Sequence, residues 1–331
     1  MSSISKRMRV ALLGTLAILA FAIPASSASA VDPVVNLNGE WAPFDRCPVD
    51  DPFMLSAAEP TCVAANSPSG TFKLGKTTAT TGESDLQFGF NLAGGLPFNP
   101  LIGGTGGAIQ ADPVAVPGGL LGIQFEPIAM PPCSNPIQCA LRNLAITLIN
   151  RTRALLTTGP FAVTATVESA GAPSDFDSLA ALIGGPIVTI PVKIHLQNPL
   201  LGPNCFIGSD ADPIVLHPEG VGPSSFAFRQ FDPDGTPNPA GEMGLIELTR
   251  SQQDDSFSAP AAHGCGLKLP FPPGSDVHLL DGAVNQRVGL PSPSGNNLLV
   301  LDDVVARITA DNVGGEPAGT LSTRWHSAVL P

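Results

Sequence analysis

Tyrosine is absent from the 331 residues, and tryptophan occurs only at Trp41 and Trp325. Sugars and bases are commonly bound by stacking on such rings, so a carbohydrate- or base-stacking surface is not expected. Basic residues are scarce as well: 16 Lys and Arg stand against 28 Asp and Glu. An acidic chain repels phosphate backbones and anionic membrane surfaces, which argues against nucleic acid as a partner. Signatures of several enzyme classes are missing too. No GxSxG elbow presents a nucleophilic serine. Gly103-Gly104-Thr105-Gly106-Gly107 lacks the lysine and helix start of a phosphate loop. No CxxC or close His pair offers zinc spacing, His263 and Cys265 being the nearest approach. The histidines His195, His217, His263, His278 and His326 are scattered, and the carboxylates include no pair assignable to a cleft. A glycosidase pair therefore has no support in the sequence.

One long apolar run is present, and it lies at the N-terminus. Lys6, Arg7 and Arg9 form a basic region, Val10–Ile23 an apolar one, and Ala28-Ser29-Ala30 a small-residue cleavage motif. This pattern predicts a secretory signal peptide over residues 1–30. The run is shorter than the ~20 residues of a spanning helix and ends at Pro24. No later run is long and apolar enough to span a bilayer, so no transmembrane segment is expected in the mature chain. Cleavage after Ala30 removes three basic residues and leaves 13 against 28 acidic ones, a net charge of −15. The mature residues 31–331 are expected to form a single extracellular β-rich unit, with a possible internal boundary at the proline-rich loop 232–243.

All six cysteines, Cys47, Cys62, Cys133, Cys139, Cys205 and Cys265, lie after the cleavage site. In an oxidising compartment they predict three disulfides. Sequence alone leaves ~15 pairings open; pairing of neighbours gives Cys47–Cys62, Cys133–Cys139 and Cys205–Cys265. With 35 Gly and 35 Pro, each an interruption of regular structure, the strands are expected to be short and the turns many.

The clearest strand signal is Ile187–Leu196, where Val188, Ile190, Val192, Ile194 and Leu196 alternate with Thr189, Pro191, Lys193 and His195. That alternation puts His195 beside Lys193 on the solvent or loop side. A Pro/Gly corner at Asn198–Pro203 breaks the strand, and Cys205–Ile207 and Pro213–Leu216 read as the next short strands. Similar readings apply to Thr71–Lys76, Asp85–Asn91, Leu120–Ala129, Phe161–Val167, Ser224–Phe231, Leu245–Arg250, Ser256–Ala259, Gly266–Phe271 and Asn297–Ala310. Val31–Pro60 reads as an extended, proline-broken arm, and Thr77–Gly82 as a threonine-rich loop.

One long helix is predicted over about 136–158, capped at Ser134 or Asn135 and stopped by Gly159-Pro160. Ile137, Leu141, Leu144, Leu148 and Leu155 form its apolar stripe, which is expected to cover the sheet. Ser174–Ile183 and Asp281–Val288 read as shorter helical segments. The fold class is therefore mainly β: a disulfide-stapled sandwich- or barrel-like arrangement with one principal amphipathic helix.

Asp232-Pro233-Asp234-Gly235-Thr236-Pro237-Asn238 has oxygen ligands at alternate positions, as calcium loops begin. Asp232, Asp234 and Asn238 are a weak calcium candidate, because Pro237 stands at the tight-turn glycine and Met243 at the bidentate glutamate of the EF-hand pattern. No cofactor and no catalytic residue is assigned.

The runs Cys47-Pro48-Val49-Asp50-Asp51-Pro52, Leu74–Thr78 with Asp85–Gly89, Leu200–Ser209 and Arg287–Ser292 are familiar together. On them the chain resembles an uncharacterised family of secreted proteins of high-GC, actinobacterial type. The resemblance implies a secreted location and no mechanism. The functional expectation is an exported, non-enzymatic binding or structural protein whose partner is a cell-envelope component or an apolar small molecule. A secreted hydrolase and a carrier of an apolar ligand are the alternatives. The hydrolase requires a cleft where carboxylates or a histidine converge; the carrier requires a large apolar cavity.

Overall fold

The computed structural model describes residues 35–120, 128–130, 132, 136–158, 161–268, 278–311 and 317–331. Its strands are β1 (Pro60–Ser67), β2 (Ser69–Leu74), β3 (Thr77–Thr81), β4 (Ser84–Asn91), β5 (Ile102–Gly103), β6 (Ile109–Ala111), β7 (Val114–Ala115), β8 (Thr164–Ser169), β9 (Ile190–Gln197), β10 (Phe206–Ile207), β11 (Ile214–Leu216), β12 (Glu219–Phe231), β13 (Met243–Asp254), β14 (Ala262–His263) and β15 (Leu298–Asp311). The helices are α1 (Pro52–Ser56), α2 (Pro136–Thr158), α3 (Ala180–Ile183), α4 (Asp281–Val288) and α5 (Thr320–Ser327), preceded by a 3₁₀ turn at Gly39–Phe44.

All fifteen strands join one antiparallel sheet in the order β12-β13-β15-β1-β4-β6-β8-β9-β10-β14, with β2 and β3 running on from β15, β11 on β9, β5 on β4 and β7 on β8. A sheet this wide curls or splits into layers that can bury their apolar faces. Phe88 and Phe90 of β4 and Val192 and Ile194 of β9 accordingly share one core, although β6 and β8 separate their strands. The protein is thus mainly β and sandwich-like. Alternation feeds that core: in β9, Ile190, Val192, Ile194 and Leu196 are buried while the residues between them are half-buried.

A second core lies on the other face of β1 and β13. There Cys62, Ala64, Met243 and Leu245 meet Trp41, Phe44, Met54, Leu321 and Trp325. Trp41 donates its indole N–H to the Pro233 carbonyl at 2.9 Å, and Trp325 donates to the Phe44 carbonyl at 2.8 Å. Both buried rings keep their polar edge satisfied.

Two of the expected disulfides are present, Cys47–Cys62 and Cys205–Cys265. Cys139 is disulfide-bonded, and Cys133 lies outside the described residues. The signal segment, the helix cap at 134–135, its stop at 159–160, and residues 121–127 and 269–271 of the strands expected at 120–129 and 266–271 also lie outside them. Contacts gather residues 31–331 into one unit. The stretch 232–242 closes the hairpin between β12 and β13.

The structure corrects four expectations. Strands are not uniformly short: β12, β13 and β15 run for 13, 12 and 14 residues. Gly222 and Pro223 are absorbed where the β12–β13 register shifts between Val221 and Ser225, so they bend the strand without ending it. The proline-broken arm is not extended, since it coils into the 3₁₀ turn at Gly39–Phe44 and into α1 before β1 begins, and the threonine-rich loop is β3. Helix α2 has the expected extent, but its stripe does not cover the sheet: Leu141, Leu144 and Leu148 are 66%, 58% and 56% exposed. Ile146 is the only buried one among its described side chains. The inner sheet face is closed instead by the opposing strands and by the segment around α3.

Candidate functional site

The residues that build the site sit in register on one face of five strands. Val63 of β1 lies opposite Phe88 of β4 and Ile308 of β15, and Ile308 lies opposite Ile246 of β13. Two residues along, the next row is Leu86, Ala65, Ala306, Leu248 and Phe226. A third row pairs Val304 with Arg250. Because side chains alternate, these rows share one face and their in-between neighbours share the other. On that other face Glu247 accepts hydrogen bonds from Arg307 at 2.8 Å and Arg229 at 2.9 Å. Each row has large side chains at its ends. The middle row has Ala65 and Ala306 at its centre, and the missing side-chain volume leaves a hollow.

The segment from Phe176 to Val188 forms the opposite wall. Two aspartates anchor its start. Asn99 and Asp175 bond reciprocally, Asn99 Nδ2 to Asp175 Oδ1 and the Asp175 amide to Asn99 Oδ1, both at 2.9 Å. This sets Phe176 against Phe88 and Phe90, with ring centroids 5.2 and 5.3 Å apart. Asp177 Oδ1 then accepts from the amides of Leu179 and Ala180 and starts α3. Gly184 and Gly185, at φ +96° and +114°, end it.

Between this wall and the sheet lies a cavity of about 240 Å³. Three of its 22 lining residues, Ser178, Arg250 and Gln252, carry polar side chains. At its mouth Leu179, Leu182 and Phe226 are 51%, 48% and 61% exposed. An apolar cavity of ~150 Å³ holds a benzene ring without water, so this one has room for a larger hydrocarbon group. Arg250 donates through Nη1 to the carbonyls of Ala181 at 3.0 Å and Leu182 at 3.3 Å, closing the C-terminal end of α3. Its Nε is buried without a hydrogen-bond partner.

A second cavity, about 390 Å³, lies on the other side of β4, where Asp45, Arg46, Asp50, Asp51 and Asp85 line it together with apolar groups such as Val49 and Ile102. Here carboxylates do converge. Arg46 donates to Asp85 Oδ2 through Nε at 3.1 Å and Nη2 at 2.6 Å. Gln87 Nε2 bridges Asp85 and Asp45 at 2.9 and 2.8 Å. Arg46 Nη1 reaches the Gly107 carbonyl at 2.7 Å. Burial pushes the Asp85 carboxyl above its ordinary value, against the opposing pull of Arg46. The network ties the Asp45–Cys47 turn to β4 and the loop after β5, a structural use for Asp45, Arg46, Asp85 and Gln87, while Asp50 bonds Ser322 and His326, and Asp51 accepts from the Phe53 amide.

None of the five histidines lines either cavity. His195 stacks on Phe206 with centroids 4.4 Å apart, and its ring nitrogens lie 3.1 Å from Glu168 Oε1 and 3.0 Å from the Pro203 carbonyl. In the calcium candidate, Asp232 Oδ1 accepts from Asn238 Nδ2 at 2.7 Å, and Asp234 Oδ1 accepts from the Thr236 amide at 2.9 Å. Gly235 of that loop, at φ +91°, packs so tightly on the Asn38 carbonyl that a Cβ would collide with it. Among the described residues no group of three or more His, Cys, Asp or Glu is placed to hold a metal. No helix of the described residues is long and apolar enough to cross a membrane.

Sequence reading found the strands that carry Phe88, Leu248 and Ala306 but not the cavity. Alternation marks which residues share a face, and only strand pairing says which faces meet. Arg250 had a local signal, a charged residue at the end of an apolar alternation. No family model, curated protein or solved structure matches this chain.

Proposed function

We propose that the chain is an exported carrier that holds an apolar small molecule between the Phe176–Val188 segment and the sheet. The observation that carries this reading is the hydrocarbon-lined cavity with an apolar mouth, in a chain with few other concentrated chemical features. Burial of a ligand's apolar surface supplies the binding energy, roughly 25 cal/mol per Å² removed from water. The disulfides and the N-terminal signal pattern support a secreted location, where an apolar molecule needs a protein to move through water. The hydrolase alternative is weaker, since the carboxylates lining the second cavity are engaged: Asp45 and Asp85 with Arg46 and Gln87, Asp51 with the Phe53 amide, and Asp50 with Ser322 and the exposed His326.

The test is titration of the mature, oxidised protein with the fluorescent apolar probe N-phenyl-1-naphthylamine. Saturable binding near one probe per chain, abolished in Ala306→Phe while the native disulfides and β-type circular dichroism persist, supports the carrier. Absence of saturable binding, or binding unchanged in Ala306→Phe, rules it out.

A further inference from the structure

Arg250 is out of place on this wall. Among the described residues it forms no ion pair; its hydrogen bonds run to two backbone carbonyls of α3. Elsewhere Arg46 of the Asp45–Cys47 turn is matched to Asp85, and Arg229 and Arg307 of the sheet to Glu247, while Arg287 of α4, away from this cavity, bonds Thr77 and the Pro117 carbonyl. The chain carries 28 acidic residues against 16 basic ones, so counter-charges are in ample supply, yet none is placed here. Arg250 is half-buried, with its Nε out of solvent, and a partly desolvated guanidinium beside an apolar cavity carries a cost that carbonyl dipoles offset only in part. Gly220 of β12 adds to the crowding: a Cβ there would approach Arg250 Cδ, Nε and Nη1 to 2.9 Å. The side chain is therefore packed in place beside the cavity, and Gln252, a second hydrogen-bonding side chain from the same strand, also lines it.

Resting on the carrier reading, we infer that the ligand is a carboxylate-terminated apolar molecule, whose hydrocarbon part fills the cavity and whose carboxylate takes Arg250 as its counter-ion. Arginine suits this role because it stays charged and presents several donors, so two can remain on α3 while others meet a carboxylate. The same contact links ligand to wall. A carboxylate on Arg250 is joined through Nη1 to the last turn of α3, and so to Leu179 and Leu182 at the mouth.

Displacement of bound N-phenyl-1-naphthylamine by decanoate and by 1-decanol tests the inference. The two share a hydrocarbon chain and differ in the head group. Decanoate is expected to displace the probe from the native protein at a concentration at least about tenfold lower, as charge-assisted hydrogen bonds imply. In Arg250→Gln that preference should vanish while the affinity for 1-decanol stays within about threefold. Equal affinities in the native protein, or a preference that survives Arg250→Gln, overturn the carboxylate inference and leave the carrier standing. Failure of the native protein to bind the probe overturns the carrier itself and the inference with it. Should Arg250→Gln lose probe binding through disorder of α3, Arg250→Lys decides: a retained preference for decanoate supports the inference, and parity refutes it.

Discussion

Ala306→Leu offers a test of whether the hollow between sheet and wall is real space, because the sign of its effect on stability depends on that alone. Ala306 sits at the centre of the middle row, between Ala65 on β1 and Leu248 on β13, and faces a cavity of about 240 Å³. Leucine adds three carbon atoms. At about 0.8 kcal/mol for each buried methylene, complete burial has a ceiling of about 2.4 kcal/mol. Restricted rotamers and imperfect fit reduce the gain, so about 0.5–2 kcal/mol of stabilisation is expected. Had the space been closed, the same carbons would overpack the core and destabilise by about 1–3 kcal/mol. Urea unfolding of the oxidised mature protein measures the difference, provided the slope is unchanged and only the midpoint moves. The same variant should weaken probe binding, since the added side chain occupies the volume the probe needs. A lowered midpoint together with undiminished binding would refute the cavity and the register argument beneath it.

Cys205→Ser should cost about 2–5 kcal/mol, because the bridge to Cys265 closes a separation of 60 residues and both sulfurs are buried; an unchanged unfolding midpoint would contradict this. Leu144→Ala should be within about 0.5 kcal/mol of neutral, since Leu144 is 58% exposed; a loss of 2 kcal/mol or more would mean that α2 packs against something in solution. Asp50 accepts from Ser322 and His326, and the Ser322 hydrogen bond, above all, holds its carboxyl below the ordinary value. The stabilisation is therefore present above the ordinary carboxylate range and lost as pH falls through the lowered folded value. The group is exposed and screened, so the effect is small: Asp50→Asn should slightly flatten the acid limb of a stability–pH curve, and an unaltered limb would remove this pair from the account.

The parts of the fold legible in sequence are those whose causes are local. In Ile190–Gln197 the period-two pattern and the following Pro/Gly corner lie in one window, and the strand and its buried face come out together. Helices at Pro136–Thr158 and Asp281–Val288 are local in the same sense. Strand β1 is different. Pro60-Thr-Cys-Val-Ala-Ala-Asn-Ser has little β propensity, and it is a strand because β4 and β15 pair with it along both edges. Helix α5 begins at Gly319 without a side-chain cap. It is held by burial of Leu321 and Trp325 against the N-terminal aromatic cluster, more than 200 residues away in sequence.

The helix stripe shows how far a periodic signal reaches. Leu141, Leu144 and Leu148 do fall on one side of α2, as the spacing requires, but spacing is silent about what that side meets. Closing of the inner sheet face fell to Phe176–Val188, a stretch with one four-residue helix, two glycines and the anchoring Asp177, with a second anchor, Asp175, just before it. The cavity has the same origin. Ala65 and Ala306 are ordinary small residues in their own strands, separated by more than 200 positions, until antiparallel pairing puts them opposite each other. Arg250 acquires its meaning in the same step: it ends an alternation on β13, and only the register and α3 together turn that terminal charge into the cation of an apolar wall. A site assembled this way is invisible to motif and period alike, because the property that makes it a site, space between two surfaces, belongs to no segment of the chain.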